Sequence, residues 1–567
     1  MARSLRKVVE PIPRIVNSTP VSYTEGRRDT FWLTDVGEVR VYTSEATLRL
    51  VSPHAYWYVE DGLDVSRRDL ERASRVFESE IYPRVTDAFG TEWTPGIDND
   101  PHITILHARL RGPVAGYFSS VDEYSSLVHQ HSNQREMIYL NAGSLRVGSS
   151  IYLSVLSHEL QHAVHWHGDP TEETWVNEGL AEVAVTVAGY RPSSQVAFLR
   201  SPTTSLVNWP ADSATSLHYG AAFLFFRYLT SHYVPTGGLK LLVEEQSDGI
   251  SGVNSYLARR GYDLDFRDIF KDWIVANYLD EPGGGVYSYP DNDVQAVITS
   301  RIRVPGERSY SIPQYSAEYI SVDITKGDVK LRFQGQEENS LLRLSPDSGS
   351  CWWSNRGDSI SSSLSRMLDL SDTDVANLKF RVWFDVEKDW DYGYVQISSD
   401  GGVTWDIVEA PGTSPANPVG NSFGLGYTGV SNGWRDVDVN LTPYAGRQVL
   451  LRFHYVTDDA INGMGLCFDN ISVPEIGFFD SEPGDEGWNA EGFIRIDNRV
   501  PQDYIVQVIE VGDETRVREM ALDENNGGEM VISGLEDLDD VVVVVAALAP
   551  KTNHEARYTL TLEQAAP

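Results

Sequence analysis

The stretch SHELQHAVHWHGDPTEETWVNEGLAE, residues 157–182, holds four of the 13 histidines of the 567-residue chain, together with five glutamates. On an α-helix, side chains four residues apart lie on the same face, so His158 and His162 aim their imidazoles at one point. Two neutral imidazoles make half of a zinc site. Glu159, beside the first histidine, has the spacing of a general base for a metal-assisted hydrolysis.

A second helix is predicted directly after the first. Asp169 is expected to be its N-cap, with Pro170 in the first turn and Glu172 at the capping-box position. A short connection packs two helices antiparallel, so Glu178 on the second helix faces the histidine pair. This carboxylate is the predicted third ligand, which gives the composition of a catalytic zinc site with one position left for water.

Glu182 lies one helical turn beyond Glu178 on the same face. It is predicted to accept the second N–H of a ligand histidine, His158, and thereby to hold its tautomer. The alternative is a charged helical hairpin on the surface, with its charges paired four residues apart. His165 and His167 are expected to face solvent or to lie behind the ligands, and not to bind metal.

The segments HELQH and WVNEGLAE resemble the gluzincin class of zinc metallopeptidases, and SHELQHAVHW with TWVNEGLAE is most similar to hyicolysin-like peptidases. The likeness covers about residues 83–280. It implies that His158, His162 and Glu178 bind zinc and that Glu159 is the general base. It also implies that the substrates are proteins or peptides.

The competing metzincin pattern, HExxHxxGxxH, is not met. His165 stands where its glycine belongs, and Gly168 stands where its third histidine belongs. That class also needs a methionine turn downstream, yet no methionine occurs between Met137 and Met367. Exclusion therefore also favours Glu178 as the third ligand.

Hydrolysis requires a donor for the oxyanion that forms at the attacked carbonyl. The segment SLHYGAAFLFFRYL offers Tyr219 first and His218 second, and gluzincins similar in layout carry tyrosine or histidine in this region. The alternative is that Tyr219 only borders the core. The segment RGPVAGYFSS, from Arg111, is either an edge strand that pairs with an extended peptide or an ordinary hairpin.

Length and a hydrophobic content of 41% predict several domains. Helical patterns dominate from about Val65 to Asp280, after a β-like lead, and strand-like stretches follow the Gly/Pro-rich segment EPGGGVYSYP. The predicted fold is multidomain, an α+β gluzincin-like metallopeptidase domain followed by all-β jelly-roll and β-sandwich domains. The expected divisions are a β-rich segment at 1–62, the metallopeptidase domain at 63–290, a β segment of a split sandwich at 300–346, a jelly roll at 347–475 and a C-terminal β-sandwich at 476–567.

A net charge of −36 disfavours nucleic acids and anionic membranes as partners, since both need a basic face. No apolar run reaches the roughly 18 residues of a membrane span. The start, MARSLRKVVEPIP, lacks the apolar stretch of a signal peptide. The two cysteines, Cys351 and Cys467, are either free thiols or one bridge that ties the first and last strands of a β domain.

The motifs SSDGGVTW and FDNISV resemble the jelly-roll domain of immune inhibitor A-type secreted peptidases, over about residues 347–474. This likeness implies an extracellular protein whose β domains stabilise it or direct it to a carbohydrate or cell-surface target. Four tryptophans are either exposed binding residues or, as is commoner, core residues: Trp352, Trp353, Trp390 and Trp405.

Asp358 and Asp469 are candidate ligands of a structural Ca²⁺, with ordinary turn carboxylates as the alternative. The predicted function is a zinc-dependent endopeptidase that hydrolyses peptide bonds. A cell-surface binding or adhesion protein with a non-catalytic metallopeptidase-like domain is the main alternative. A zinc hydrolase that attacks another polarised carbonyl is a third.

Overall fold

A computed structural model describes residues 2–8, 10–210, 215–235, 237–281, 285–290, 294–324, 326–343, 346, 349–480 and 487–565. The described α-helices all lie before residue 280, and the C-terminal half is built of strands with a few short 3-10 turns. The protein is therefore multidomain and β-rich towards its C-terminus, as the periodicity predicted. Residues 282–284 of the predicted linker and residue 347, the expected start of the jelly roll, lie outside the described residues.

A six-stranded mixed sheet begins the fold. Its strands are β1 Arg28–Asp35, β2 Arg40–Val51, β3 Ala55–Glu60, β4 Ile103–Ala108, β5 Gly116–Phe118 and β6 Met137–Asn141. They lie in the order β1-β2-β3-β4-β6-β5. The central strands β3, β4 and β6 are parallel and buried, which suits their continuous apolar sequences. β5 is antiparallel to β6 and forms one edge.

Several helices pack on one face of this sheet, where Trp57, Ile105 and Ile138 share a buried core with them. The described α-helices follow in chain order. They are α1 Ala2–Leu5, α2 Arg67–Val76, α3 Tyr82–Phe89, α4 Ser150–Gly168, α5 Thr174–Val187, α6 Gln195–Leu199, α7 Thr215–His232, α8 Leu239–Val243, α9 Gly249–Arg259 and α10 Phe266–Leu279. Ser66, three residues before Asp69 in the pattern of a capping box, caps α2 by accepting the Asp69 N–H. A π-helical turn, Phe77–Ile81, joins α2 to α3. α4 packs on β5 and β6, and α5 packs on α4 and α7.

The C-terminal half contains 22 described strands. They are β7 Ser300–Ile302, β8 Gly306–Ile312, β9 Ala317–Val322, β10 Val329–Gly335, β11 Glu338–Ser340, β12 Cys351–Trp353, β13 Ser361–Asp369, β14 Asn377–Asp385, β15 Tyr392–Ser398, β16 Asp406–Ile407, β17 Arg435–Asn440, β18 Gln448–Val456, β19 Gly465–Val473, β20 Phe478–Phe479, β21 Trp488–Glu491, β22 Ile494–Ile496, β23 Arg499–Pro501, β24 Tyr504–Val511, β25 Arg516–Glu519, β26 Gly527–Ile532, β27 Asp540–Ala547 and β28 Ala556–Gln564.

Two facing sheets form a jelly-roll-like sandwich between β12 and β22. One sheet has the order β17-β14-β19-β12-β22 and the other β16-β15-β18-β13-β21. Alternate residues of the strands point between the sheets, where Phe380, Phe453 and Phe468 pack together. The 4.2 Å between the ring centroids of Phe453 and Phe468 marks the centre of this core.

The strands on either side of the jelly roll share sheets with one another. β10, which precedes it, pairs with β28, which follows it, and β9 likewise pairs with β27. The two resulting sheets have the orders β26-β10-β28-β8 and β25-β24-β27-β9-β7. The second sheet packs on the helices, where the Tyr319 hydroxyl donates to the Ile274 carbonyl at 2.6 Å. The jelly roll is thus inserted into this sandwich.

A disulfide joins Cys351 on β12 to Cys467 on β19, which are neighbouring strands. Both cysteines are buried, and 116 residues separate them in the chain. Of the two alternatives that the sequence left open, the bridge is the one present. None of the described helices has the length and apolar character needed to span a bilayer.

Replacing both cysteines by alanine is expected to lower the free energy of unfolding by about 2–5 kcal/mol, because the bridge restricts a long loop of the unfolded chain. Denaturant unfolding of the variant and of the wild type, with and without reductant, measures the change. Reductant should destabilise only the wild type. Equal stability of both proteins in oxidising buffer would contradict this expectation.

Candidate active site

The first turn of α4 is tied to the sheet beneath it. Ser149 caps the helix by accepting the Tyr152 N–H. Burial lowers the pKa of His107, on β4, to about 4, so its imidazole is neutral. Its Nδ1 donates to the Tyr58 carbonyl at 2.8 Å, which leaves Nε2 to accept from the Tyr152 hydroxyl at 2.7 Å. These bonds set where the following turns of α4 lie.

The predicted zinc ligands converge between α4 and α5. Nε2 of His158 lies 3.0 Å from Oε2 of Glu178, and Nε2 of His162 lies 3.4 Å from the same oxygen. One ligand atom from each residue lies within 4.8 Å of the other two. The donor set, two imidazole nitrogens and one carboxylate oxygen, suits a divalent metal of zinc type.

The second nitrogen of each imidazole also has a partner. Nδ1 of His158 lies 3.4 Å from Oε1 of Glu182, whose other oxygen accepts from the Ser194 hydroxyl at 2.9 Å. Nδ1 of His162 donates to Oδ1 of Asn177 at 2.9 Å. With Nδ1 protonated in both rings, Nε2 is the atom available to a metal. Glu182 is the residue that the sequence predicted beside His158, whereas the contact of Asn177, which directly precedes Glu178, was missed.

The charges at this site influence one another strongly. Burial lowers the pKa of His158, but hydrogen bonds to Glu178 and Glu182 outweigh it and hold that pKa well above its usual value. Burial raises the pKa of Glu178, yet the neighbouring His162 and His158 reverse this and lower it. The carboxylates around the two imidazoles thus give the buried site a negative potential, which stabilises a positive charge placed there.

Glu159 lies on the sheet side of the ligand pair and is buried. Burial raises its pKa, and the charges of His158 and His162 oppose that rise only in part. A backbone hydrogen bond from Phe118, on β5, reaches its carboxylate. The predicted general base is therefore held between α4 and the edge strand.

Tyr219 reaches the ligand group, whereas His218 points elsewhere. The Tyr219 hydroxyl donates to Oε1 of Glu178 at 3.0 Å, and burial raises its pKa well above the usual value. Nδ1 of His218 donates to the Ser205 carbonyl at 2.9 Å. Among the described residues that line the cavity over the site, Tyr219 is present and His218 is not. Adjacent helical residues differ in direction by about 100°, so both could not face the ligands.

Gly179 permits α5 to lie close to α7. A Cβ atom at this position would lie 2.4 Å from Cδ2 of Phe226 and 3.0 Å from the carbonyl oxygen of Ala222. The backbone of α5 therefore packs directly against α7, the helix that carries Tyr219. This contact explains in physical terms why glycine follows Glu178.

The start of α5 differs from the prediction. α4 ends at Gly168 and α5 begins at Thr174, so Asp169 is not its N-cap. Oδ1 of Asp169 instead accepts from the N–H and hydroxyl of Thr171 and closes a turn. Glu172 accepts from the Gly249 N–H at 2.7 Å and anchors a different loop. The Asp169 side chain therefore stabilises a turn with Thr171 and does not cap a helix.

The remaining histidines of the stretch differ from each other. His165 is 1% exposed and does not face solvent, and burial lowers its pKa to about 3. Its Nδ1 lies 3.4 Å from Nε2 of Gln161. His167 is exposed, and its Nδ1 donates to the Thr91 carbonyl at 2.7 Å. Neither belongs to the converging ligand group.

A cavity of about 1660 Å³ opens over the ligand group. Strand β5, at the sheet edge, lines one wall, so the segment from Arg111 contains an edge strand beside the site. The jelly roll lines the opposite wall through residues 419–421 and 456–461. Nδ1 of His131 donates to the Val419 carbonyl at 3.0 Å and joins the two walls.

Three carboxylates of the jelly roll also converge, with oxygens within 4.8 Å of one another. Glu387 and Asp458 line the cavity, and Asp391 lies buried behind them. Burial and the charge of Asp391 raise the pKa of Glu387 to about 9. No motif in the sequence marks this group, because Asp458 follows β18 and is far in the chain from Glu387 and Asp391, which lie in the loop between β14 and β15.

The two aspartates proposed for Ca²⁺ lie elsewhere. Asp358 accepts hydrogen bonds from Thr174 and Asn462, and Asp469 accepts from the Asn470 N–H. Neither belongs to a converging ligand group within the part of the chain that the structure describes. Their hydrogen bonds agree with the alternative of structural carboxylates.

The tryptophans proposed for carbohydrate binding are mostly covered. Trp352 and Trp353 are buried on β12, and Trp405 lies beneath Arg452, whose guanidinium carbon is 3.7 Å from its ring centroid. Trp390 is half-buried and lines the cavity. Their burial follows the commoner alternative, a place in the core.

Comparison with known proteins relates the chain to proteases. The family of immune inhibitor A-like MAM domains matches residues 324–498. This match includes the region where SSDGGVTW and FDNISV predicted such a likeness, extends it at both ends, and confirms that prediction. The family covers less than a third of the chain.

Individual relatives match over short regions. The pre-pro-metalloprotease PrtV of Vibrio cholerae serotype O1 is 31% identical over 147 residues, which is 25% of this chain and 15% of that protein. Immune inhibitor A of Bacillus thuringiensis subsp. alesti is 26% identical over 149 residues, 25% of this chain and 20% of the relative. Bacillopeptidase F of Bacillus subtilis is 28% identical over 98 residues, 17% of this chain and 6% of the relative. The chain thus covers a fifth or less of each of these relatives, one of which is named a metalloprotease.

Gly179→Ala is expected to lower the free energy of unfolding by about 1–3 kcal/mol, because the new methyl group overlaps Phe226. Alanine's better helix propensity, about 1 kcal/mol, offsets only part of this cost. Denaturant unfolding measures the change. Adding Phe226→Leu, which makes room, should reduce the penalty of Gly179→Ala relative to its effect in the wild type. A penalty independent of Phe226 would refute the steric explanation.

Proposed function

We propose that the chain is a zinc-dependent endopeptidase of the hyicolysin-like gluzincin type. His158, His162 and Glu178 are the proposed zinc ligands. The observation that carries the proposal is the convergence of their three donor atoms within 4.8 Å. Glu182 and Asn177 engage Nδ1 of the two histidines, which supports Nε2 as the donor in each ring.

Zinc in such a site supplies Lewis acidity, which lowers the pKa of water to about 7 and polarises the carbonyl under attack. Glu159 accepts the proton that the attacking water loses and passes it to the departing amine. The Phe118 backbone hydrogen bond orients this carboxylate. The Tyr219 hydroxyl, 3.0 Å from Glu178, is the proposed donor to the oxyanion.

Peptides are the substrates that the surroundings favour. The cavity is an open cleft, and edge strand β5 on one wall offers backbone groups to an extended chain. The buried Cys351–Cys467 disulfide supports an oxidising, extracellular location. The domain boundaries that the sequence predicts stay a prediction. In the proposed enzyme, the jelly roll forms one wall of the substrate cleft.

Glu159→Gln is expected to lower kcat for peptide hydrolysis by a factor of about 10²–10⁴, the usual contribution of a general base, while bound zinc is retained. His162→Ala should lose both zinc and activity. A fluorogenic peptide assay with 1,10-phenanthroline, together with elemental analysis, measures these changes.

Glu244→Gln is the matched control, since this glutamate is half exposed and its side chain pairs with Lys240 at 3.6 Å. It should behave as the wild type. Peptide cleavage that survives Glu159→Gln and chelation would exclude the proposed mechanism. A folded, zinc-loaded wild type without activity towards peptides would favour the binding-protein alternative, and hydrolysis of other substrates would favour a non-peptide hydrolase.

Tyr219→Phe is expected to lower kcat by about 10²–10³, the effect of losing one oxyanion donor, with little change in zinc affinity. Tyr228→Phe is the control on the same helix, because the Tyr228 hydroxyl donates to the Val286 carbonyl away from the site. Steady-state kinetics of both variants provide the measurement. Equal kcat values for the two variants would remove Tyr219 from the mechanism.

A further inference from the structure

Helix α5, which carries Glu178 and Glu182, has no side-chain cap from its own N-cap residue. That residue, Glu173, makes no capping hydrogen bond, and its Oε2 accepts from Trp175 Nε1 at 2.9 Å. The first N–H groups of a helix lack partners within the helix. A capping acceptor for this helix must therefore come from outside the local sequence.

Asp358 of the jelly roll supplies that acceptor. Its Oδ2 accepts from the backbone N–H of Thr174 at 2.8 Å and from the Thr174 hydroxyl at 2.6 Å. Thr174 is the first residue of α5, and 184 residues separate it from Asp358. The carboxylate is 3% exposed, so this is a buried contact between two parts of the protein.

Further bonds hold the Asp358 carboxylate in one orientation. Its other oxygen, Oδ1, accepts from Asn462 Nδ2 at 2.7 Å. The Oδ1 of Asn462 in turn accepts from Arg356 Nε at 2.7 Å, which directs the amide N–H towards Asp358. The Ile461 N–H donates to the Thr174 hydroxyl at 3.3 Å. A chain of bonds thus runs from the jelly roll into the first turn of α5.

This contact lies one helical turn from the proposed zinc ligand. Within an α-helix the N–H of Glu178 bonds to the carbonyl of Thr174, so the position of one residue constrains the other. A carboxylate at a helix N-terminus also opposes the positive end of the helix dipole. Both effects hold the first turn of α5 in place while Glu178 faces His158 and His162.

We propose that Asp358 is a positioning residue: the jelly roll caps α5 through its carboxylate and thereby fixes Glu178 for metal binding. The proposal rests on the proposed zinc site. It makes the jelly roll part of the scaffold of that site and gives Asp358 a role other than Ca²⁺ binding.

The test uses the full chain with Asp358→Ala. We expect faster amide hydrogen exchange at residues 174–178, a zinc Kd raised about 10- to 100-fold as for other residues that support ligands, and a fall in kcat larger than any rise in KM. Exchange mass spectrometry, chelator competition and peptide kinetics measure these three quantities. Thr174→Val removes only the hydroxyl contacts, so smaller changes in the same direction are expected.

Asp400→Ala is the matched control within the same jelly roll. The Asp400 carboxylate also accepts from a threonine N–H and hydroxyl, those of Thr404, but it lies away from α5 and from the cavity. It should leave zinc affinity, kcat and α5 exchange unchanged, whatever its effect on Tm. A purely structural role of Asp358 would make the two alanine variants alike in these readouts.

Wild-type zinc affinity and α5 exchange in Asp358→Ala would overturn the proposal, as would wild-type behaviour of Thr174→Val if the first variant does not fold. If the wild-type protein binds no zinc, the proposed zinc-dependent function is wrong, and this result by itself does not test the role of Asp358. Amide exchange then still reports whether Asp358 caps α5, so the two failures are distinguishable.

Discussion

Helix α5 packs against α4 and places the Glu178 carboxylate beside the imidazoles of His158 and His162. The geometry of the site depends on this packing. Glu178 lies 3.0 and 3.4 Å from Nε2 of His158 and His162. Gly179 lets α5 approach α7 closely, since a Cβ atom there would meet both the Phe226 ring and the Ala222 carbonyl oxygen. The same helix presents Glu182 to the second nitrogen of His158.

The helical part and the jelly roll meet where this helix begins. Their contact combines the Asp358–Thr174 hydrogen bonds with walls of one shared cavity, and His131 adds a bond to the Val419 carbonyl. Because Asp358 and Thr174 are buried, loss of their hydrogen bonds leaves polar atoms without water or protein partners, which is costly. The jelly roll is therefore a structural part of the cleft, although its first strand, β12, begins 189 residues after His162, the last residue of the HELQH motif.

Local patterns predicted the features that depend on local geometry. The spacing of His158 and His162 is a helical repeat, and Ser66 caps its helix through a bond to a residue three positions away. Local patterns failed at Asp169, where a turn with Thr171 competes with capping. They placed Tyr219 ahead of His218 but could not show which of the two faces the ligands, because the rotation of α7 is set by its packing.

The sequence by itself determined the helix that aligns the two histidines, the carboxylate that follows them, and the β character of the C-terminal half, because periodicity and motif spacing act over a few residues. Only the tertiary structure decided the disulfide, the insertion of the jelly roll between paired strands, and the bond from Asp358 to Thr174. These join residues more than 100 positions apart, and such pairings depend on how whole elements pack, which no local pattern encodes.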